Sequence, residues 1–379
     1  MNRREFLMVS AAAGLAASTR FAAAATRLDM YTASDANISD FFSNVIKPAF
    51  EAANTGIELN VVIARPAAAL DAVAQRALAA LSAKADPQLD FIEQYEPMLP
   101  AGGIEAGLWT DFSKAGLKNY GTVNKLAIQT PFGLPYRGSQ VLLAYDTTKL
   151  PKDKAPKTFA DLVAWIKANP GQFIYNRPDK GGSGGNFVNR VLHEVSGRDP
   201  SKFKVDNFNQ ATADDVLGKA WAVLGDLAPS LYQNGSYTAG NTASLQLLAQ
   251  GAVTMVPAWS DQALQAIAKG VLPETTGLVQ LSDLALCGGF SQAVIPTNAA
   301  HRDASLKFAD FLLLPETQAV IIEKLGGFPG VDWSHLPKAL HDKYADVIPS
   351  SIPTFPSGDW TKAVQDGWYR NVAPNISRT

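Results

Sequence analysis

Trp259, Ser260 and Asp261 place an aromatic ring beside a hydroxyl and a carboxylate. They directly follow the buried-looking strand pattern Val253–Pro257. Ligands of open α/β sheets bind outside the carboxyl ends of the strands, so this position favours ligand contact. An indole with a carboxylate suits a flat or cationic ligand, through stacking, cation–π attraction and charge pairing. The alternatives are an ordinary core aromatic at Trp259 and a helix N-cap at Asp261.

Two further strand ends carry polar or aromatic candidates for the same edge of a sheet. The loop Ser34-Asp35-Ala36-Asn37 follows the first predicted strand, and Tyr95 follows the third, which we predict over Leu89–Ile92. We therefore predict Ser34, Asp35, Asn37 and Tyr95 as ligand contacts. The alternative for the loop is capping of the next helix, whose apolar positions run from Phe41 to Phe50.

The segment Pro131–Gly138 is rich in Pro and Gly and suits a crossing between two lobes. Tyr136, Arg137 and Ser139 are candidate contacts at this crossing. Arg137 could hold a carboxylate or phosphate through two hydrogen bonds, or could pair with Asp or Glu across a hinge.

A glycine run precedes the helix predicted over Asn186–Val195. Exposed backbone N–H groups at a helix start attract negative or polar groups, so this run could form the lip of a cleft. The alternative is a flexible surface loop. No Lys-Ser/Thr follows the run, which argues against nucleotide hydrolysis. The candidate contacts here are Ser183, Gly184, Gly185 and Asn186.

Motifs of enzymes and metal sites are absent from the sequence. The four histidines lie far apart, without a His-Glu-x-x-His pattern, and no Gly-x-Ser-x-Gly motif occurs. We therefore predict no catalytic residue, no metal and no cofactor. The single cysteine, Cys287, cannot form an intramolecular disulfide.

The first 25 residues have the features of an export leader. Arg3-Arg4 precedes an apolar run that ends in Ala22–Ala25, and the arginine pair before Phe6-Leu7 resembles the twin-arginine signal. We predict passage through the twin-arginine translocase to the periplasm, with cleavage near Ala24 or Ala25. The alternative is a membrane anchor, but the run is too rich in small residues for a span.

Charge and length narrow the possible partners and the architecture. The chain has 33 basic and 35 acidic residues, and removal of a leader with three arginines and one glutamate leaves a net charge of −4. A mildly acidic surface argues against nucleic acid as a partner. Apolar runs with the periods of strands and helices alternate along 379 residues, which predicts an α/β fold with about two domains.

Several segments resemble the family 1 extracellular solute-binding proteins, especially the branch with receptors for polyamines, thiamine and ferric iron. The resemblance covers nearly the whole chain after the leader. It is carried by these segments: Pro48–Glu51, Asn54–Leu59, Leu134–Ser139, Leu143–Asp146, Pro156–Leu162, Ala249–Thr254, Ile295–Ala300 and Ala304–Gln318.

The resemblance implies the two-lobed periplasmic binding protein fold of type II, each lobe a mixed sheet flanked by helices. It places lobe 1 at residues 26–137 and 291–330, lobe 2 at 138–290, and a C-terminal helical segment packed on the lobes at 331–379. It also implies a monomeric periplasmic component of an ABC importer, with a permease and an ATPase as partners. The expected cargo is a small solute held in the cleft between the lobes.

The ligand expected from the resemblance depends on a few positions. The polyamine receptors carry an aromatic–aspartate pair where this chain has Phe290 and Ser291, which are candidate contacts without a carboxylate. The adjacent tyrosines of ferric receptors are absent. We therefore expect a thiamine-like or other cationic or phosphorylated molecule. The rivals are a twin-arginine-exported enzyme with a bound cofactor and a structural envelope protein.

Overall fold

The computed structural model describes residues 25–65, 67–94, 100, 102–344, 348 and 351–378. The predicted leader lies outside these residues, except for Ala25. The strands are β1 Thr26–Thr32, β2 Ile57–Ile63, β3 Phe91–Gln94, β4 Leu134–Asp146, β5 Met255–Trp259, β6 Thr276–Val279, β7 Gly288–Val294 and β8 Phe328–Pro329.

Helices follow or cover these strands, as the apolar periodicity predicts. Two of them continue into π-helical turns, at Phe42–Ile46 and Ile321–Leu325. The α-helices are α1 Ala36–Phe41, α2 Lys47–Ala53, α3 Ala67–Ser82, α4 Phe159–Ala168, α5 Gly182–Val195, α6 Gln210–Leu227, α7 Asn241–Ala249, α8 Ser260–Ala268, α9 Arg302–Leu312, α10 Pro315–Val320, α11 Lys338–Tyr344 and α12 Asp359–Asn371.

The strands form a mixed sheet in the order β2-β1-β3-β7-β4-β5, which confirms the predicted α/β fold. β1 is parallel to both β2 and β3, and β7 runs antiparallel to β3 and β4. The carboxyl ends of β1 and β3 therefore lie at the same edge of the sheet.

β4 connects the two halves of the molecule. Its first part, Leu134–Gln140, pairs with β7, whereas Val141–Asp146 pairs with β5 and β6. All but the last of its 13 residues are buried. The assignment of whole segments to two lobes stays a prediction, but this strand is the place where the two halves meet.

Each half has its own hydrophobic core. On the β1 side, Phe50 and Phe308 pack with ring centroids 4.8 Å apart. On the β5 side, the core includes Phe187 of α5 and two tryptophans of the C-terminal helix α12, Trp360 and Trp368. Because both tryptophans are almost completely buried, α12 is part of this core.

Local sequence explains where α4 begins, and the structure corrects two predictions about helix starts. α4 begins at Phe159, because Thr158 and Asp161 form a reciprocal capping box with both bonds at 3.1 Å. α5 begins at Gly182 instead of Asn186, so the glycine run is helical. Asp261 is not an N-cap, because α8 already begins at Ser260.

No helix in the described ranges has the length and apolar character needed to cross a bilayer.

Candidate functional site

A cavity of about 480 Å³ lies where the two halves meet. The start of α1, the middle of β4, the start of α5, the junction of β5 and α8, and the C-terminal segment all contribute to its lining. Eight of the residues selected from the sequence line it: Ser34, Asp35, Asn37, Arg137, Ser139, Gly185, Trp259 and Asp261.

Arg137 lies beneath the cavity with only 3% of its surface exposed. Its Nε donates to the Tyr136 hydroxyl at 3.1 Å, and its guanidinium lies 3.8 Å from Glu93 and 3.9 Å from Asp261. Burial alone would lower the pKa of Arg137, but Tyr136 and the two carboxylates raise it above the ordinary value. The guanidinium therefore stays charged, and it pairs with acidic groups of both halves.

Glu93, a carboxylate partner of Arg137, is fully buried and was not among the predicted contacts. Its carboxylate accepts hydrogen bonds from Tyr136 at 2.6 Å, Thr32 at 2.5 Å and Ser34 at 2.9 Å. Burial and the charge of Glu93 raise the pKa of Tyr136, so the hydroxyl remains protonated as a donor. A network of hydrogen bonds around Glu93 thus supports the residues beneath the cavity.

Asp261 belongs to the first turn of α8, where the helix dipole stabilises a negative charge. Ser139 donates to its carboxylate at 2.7 Å, and Asn37 donates at 3.2 Å. Asn37 comes from α1 and Ser139 from β4, so Asp261 joins both halves across the cavity. The loop after β1 and the Trp259–Asp261 segment therefore lie next to each other.

Asp35 is the second carboxylate of the cavity and faces the same region. Gln262 donates to it at 2.9 Å. Asp35 occupies the N-cap position of α1 but makes no capping hydrogen bond with its side chain, so the capping interpretation is incomplete. Burial first, and the charge of Asp261 second, raise the pKa of Asp35 above its ordinary value. An added positive charge in the cavity would relieve this repulsion.

Aromatic rings form another wall. Trp259 is half-buried at the end of β5, and its indole packs so closely on α5 that a Cβ on Gly182 would lie 2.5 Å from it. Phe355, from the C-terminal segment, lies beside Trp259 with ring centroids 6.1 Å apart and planes tilted by 36°. The cavity therefore combines two carboxylates with two aromatic rings.

The family profile of the bacterial extracellular solute-binding proteins matches residues 46–345. The chain belongs to this family. The resemblance noted in the sequence is therefore confirmed, and the cavity belongs to a solute-binding protein. Comparison with curated protein sequences finds no significant match.

Solved structures with the same fold cover nearly the full length of this solute-binding protein. A putative extracellular solute-binding protein from Bordetella parapertussis is 15% identical with a TM-score of 0.68, covering 92% of this chain and 99% of that chain. A periplasmic thiamin binding protein is 18% identical with a TM-score of 0.60, covering 92% and 96%. The spermidine/putrescine transporter substrate-binding protein PotD from Streptococcus pneumoniae is 16% identical with a TM-score of 0.66, covering 91% and 98%. At these identities, the likeness shows the fold, which confirms the predicted periplasmic binding protein architecture.

Three candidates from the glycine run, Ser183, Gly184 and Asn186, lie behind the cavity wall of the solute-binding protein, whereas Gly181, Gly182 and Gly185 line the cavity. Ser183 is buried and donates to Asn176 at 2.7 Å and Asn241 at 2.8 Å. A Cβ on Gly184 would lie 1.7 Å from the carbonyl oxygen of Asn176, so glycine permits this close packing. Asn186 is also fully buried. These residues shape the wall, whereas Gly185 reaches the cavity.

Several other candidates are close to the cavity without lining it. Tyr136 and Ser260 support Arg137 and Ser139 from behind. Phe290 packs on Gly138, where a Cβ would lie 2.9 Å from the ring, and Ser291 is fully buried beside it on β7. Tyr95 lies outside the described residues.

Sequence reasoning missed Glu93 and the whole contribution of the C-terminal segment. Glu93 had a usable signal, because it stands near the end of the third predicted strand. The lining residues Asn189, Asn241, Phe355, Thr361 and Gln365 had no comparable local signal. In the described part of the chain, no group of three or more His, Cys, Asp or Glu side chains could hold a metal ion.

Proposed function

We propose that this solute-binding protein is the substrate-binding component of an ABC importer and captures a small, thiamine-like organic cation in the cavity. The observation that carries the proposal is the pair of carboxylates, Asp35 and Asp261, in the cavity lining. Arg137 is the basic residue among the described lining residues, and its charge is already met by Glu93 and Asp261. The lining is therefore negative overall, which favours a cation.

The raised pKa of Asp35 supports the same conclusion. The charge of Asp261 adds to the causes that disfavour the charged form of Asp35. A cationic ligand beside Asp35, which is exposed at the cavity, would favour that charged form. An anionic ligand would have to displace or oppose the same carboxylates.

A phosphate group on the ligand has less support. Arg137 is engaged from three sides, and the N–H of Ser183 in the first turn of α5 already donates to Asn241 at 3.1 Å. These are the two groups that the sequence offered for a phosphate. An unphosphorylated cation is therefore the better supported ligand.

The remaining parts of the function follow from the family and the leader-like sequence. We propose that a membrane permease and an ATPase receive the solute, that the protein acts in the periplasm as a monomer, and that it performs no catalysis. Export by the twin-arginine route with cleavage near Ala24 or Ala25 completes the proposal, and N-terminal sequencing of the periplasmic protein tests it. Membership of a solute-binding family does not favour the alternative of an exported enzyme with a bound cofactor.

Calorimetry with thiamine, thiamine monophosphate and spermidine tests the ligand class, together with mass spectrometry of any molecule that copurifies with the native protein. We expect thiamine to bind and Asp261→Asn to weaken binding about tenfold, because a charge-assisted contact is lost. Asp342→Asn is the matched control, since Asp342 is paired with Lys338 on the surface. Failure of every cation to bind, or unchanged affinity in Asp261→Asn, would contradict the proposal.

A further inference from the structure

The C-terminal segment forms a substantial part of the cavity wall. We call residues 351–365 the C-terminal wall; the members that line the cavity are Phe355, Pro356, Thr361, Val364 and Gln365. The rest of the site is formed by the loop after β1, by β4, by α5 and by the junction of β5 and α8, so part of it is supplied by residues far along the chain.

Hydrogen bonds hold the C-terminal wall in place on both sides of Phe355. Before this residue, the carbonyl oxygens of Ser351 and Pro353 accept from Gln140 at 3.0 Å and from the Gly288 N–H at 3.2 Å. After it, the Ser357 N–H donates to the Phe203 carbonyl at 3.0 Å. Since the backbone is fixed at both ends of this short stretch, the position of the Phe355 ring is defined.

The core of the same half anchors the following helix. Trp360, only 1% exposed, packs edge-on against Phe203 and Phe208 with ring centroids 4.9 and 5.2 Å away. Farther along α12, the Trp368 indole donates to the Tyr175 hydroxyl at 3.1 Å. The C-terminal wall is therefore attached to the folded core, and this attachment fixes the position of Phe355.

Phe355 meets an equally fixed partner. Trp259 ends β5 and is held against Gly182, and the two rings are 6.1 Å apart at an angle of 36°. Both rings line the cavity, and Asp261 follows Trp259 by only two positions. A planar cationic ring in this cavity would reach aromatic surface and a carboxylate at the same time.

We infer that Phe355 is a specificity-determining residue, and that its ring and the indole of Trp259 select cations that contain a planar ring over acyclic cations. The inference rests on the proposed function, because it assumes that the carboxylates bind a cation. The carboxylates attract any cation of suitable size. The two rings add stacking that an extended aliphatic chain obtains only in part, so they determine which cation binds best.

Affinities of thiamine and spermidine for the wild type and for Phe355→Leu test this inference. Leucine retains most of the apolar volume but removes the ring, so the fold is expected to survive. We expect the thiamine affinity to fall about tenfold, while the spermidine affinity changes by about twofold or less. Phe355→Tyr retains the ring and should keep the preference for thiamine.

Phe311→Leu is the matched control, because Phe311 is also a half-buried phenylalanine and packs against the other core. Equal losses for thiamine and spermidine, or no loss for thiamine, in Phe355→Leu would overturn the inference while leaving the cation site standing. Tighter binding of spermidine than thiamine by the wild type would overturn it as well. If the wild type bound neither cation, the proposed function itself would fail, and the inference would fail with it.

Discussion

Arg137 and Arg190 are both almost completely buried, with 3% and 0% of their surfaces exposed, but their charges are met differently. Arg190 on α5 forms short contacts: 2.8 Å to Glu194, 3.1 Å to Asp283 and 3.0 Å to the Leu284 carbonyl. Its guanidinium also lies 4.8 Å from the centre of the Phe159 ring.

Arg137 has one side-chain hydrogen bond, to Tyr136, and its two carboxylate partners are 3.8 and 3.9 Å away. Arg190 is therefore a buried cation of the core, whereas Arg137 is a buried cation of the candidate site. Each guanidinium nitrogen of Arg190 donates a hydrogen bond, and Arg190 does not line the cavity. The longer carboxylate contacts of Arg137 instead join the two halves at the cavity.

The largest effect is expected from Arg190→Met. Removing this cation leaves Asp283 and Glu194 with the more exposed Arg198 as their remaining arginine partner. We expect the free energy of unfolding to fall by about 3 kcal/mol. Denaturant unfolding measures the loss. The double variant Arg190→Met/Asp283→Asn should recover part of it, and a full loss in both would mean that packing against Phe159, and not charge, is the main contribution.

A smaller effect on the same helix is expected from acid. His193 is fully buried, and burial first, with the charge of Arg190 second, lowers its pKa from 6.5 to about 4. The unfolded chain therefore takes up the proton first, and stability is lost as the pH falls from 6.5 toward 4. Through this residue the protein should lose about 2 kcal/mol between pH 7 and pH 5.

His193→Leu should remove that part of the pH dependence, as measured by urea unfolding at the two pH values. His341→Leu is the control, because His341 is exposed on α11. An equally steep pH dependence in His193→Leu would assign the acid sensitivity to carboxylates elsewhere.

The smallest effect on stability is expected at the cavity. Arg137→Gln keeps a donor for Tyr136, and Glu93 keeps its hydrogen bonds from Tyr136, Thr32 and Ser34. The free energy of unfolding should therefore fall by only about 1 kcal/mol. Since the substitution removes a positive charge next to Asp261, thiamine binding should be preserved or become tighter. A stability loss as large as that of Arg190→Met, or loss of thiamine binding, would remove the distinction between the two arginines.

The fold and eight of the residues that line the cavity could be predicted from the sequence, because both depend on local patterns. Apolar periodicity located β1 and α1, and the rule for strand ends then selected Ser34, Asp35 and Asn37. Trp259 and Asp261 were found by the same rule. These residues approach each other because the sheet topology brings their strand ends to one edge.

The same rule failed where a strand end was misplaced. The predicted third strand stopped at Ile92, which directed attention to Tyr95, but β3 continues to Gln94 and includes Glu93. The position of Glu93 near the strand end was visible in the sequence, but the burial of its carboxylate is recognisable only once its partners, Thr32 and Tyr136, are known. Phe355 was missed for a related reason, since its contact with Trp259 depends on the return of the distant C-terminal wall and on no local pattern.

The attachment of α12 to the core has a consequence for the order in which the protein is made. Synthesis proceeds from the N-terminus, so a nascent chain that ends before residue 351 already contains Asp35, Asp261 and Trp259 but lacks Phe355. Such a chain would have the acidic part of the cavity without one side of its aromatic wall. The capacity to discriminate among solutes would therefore arise last, when the final helix is released from the ribosome and its tryptophans are buried.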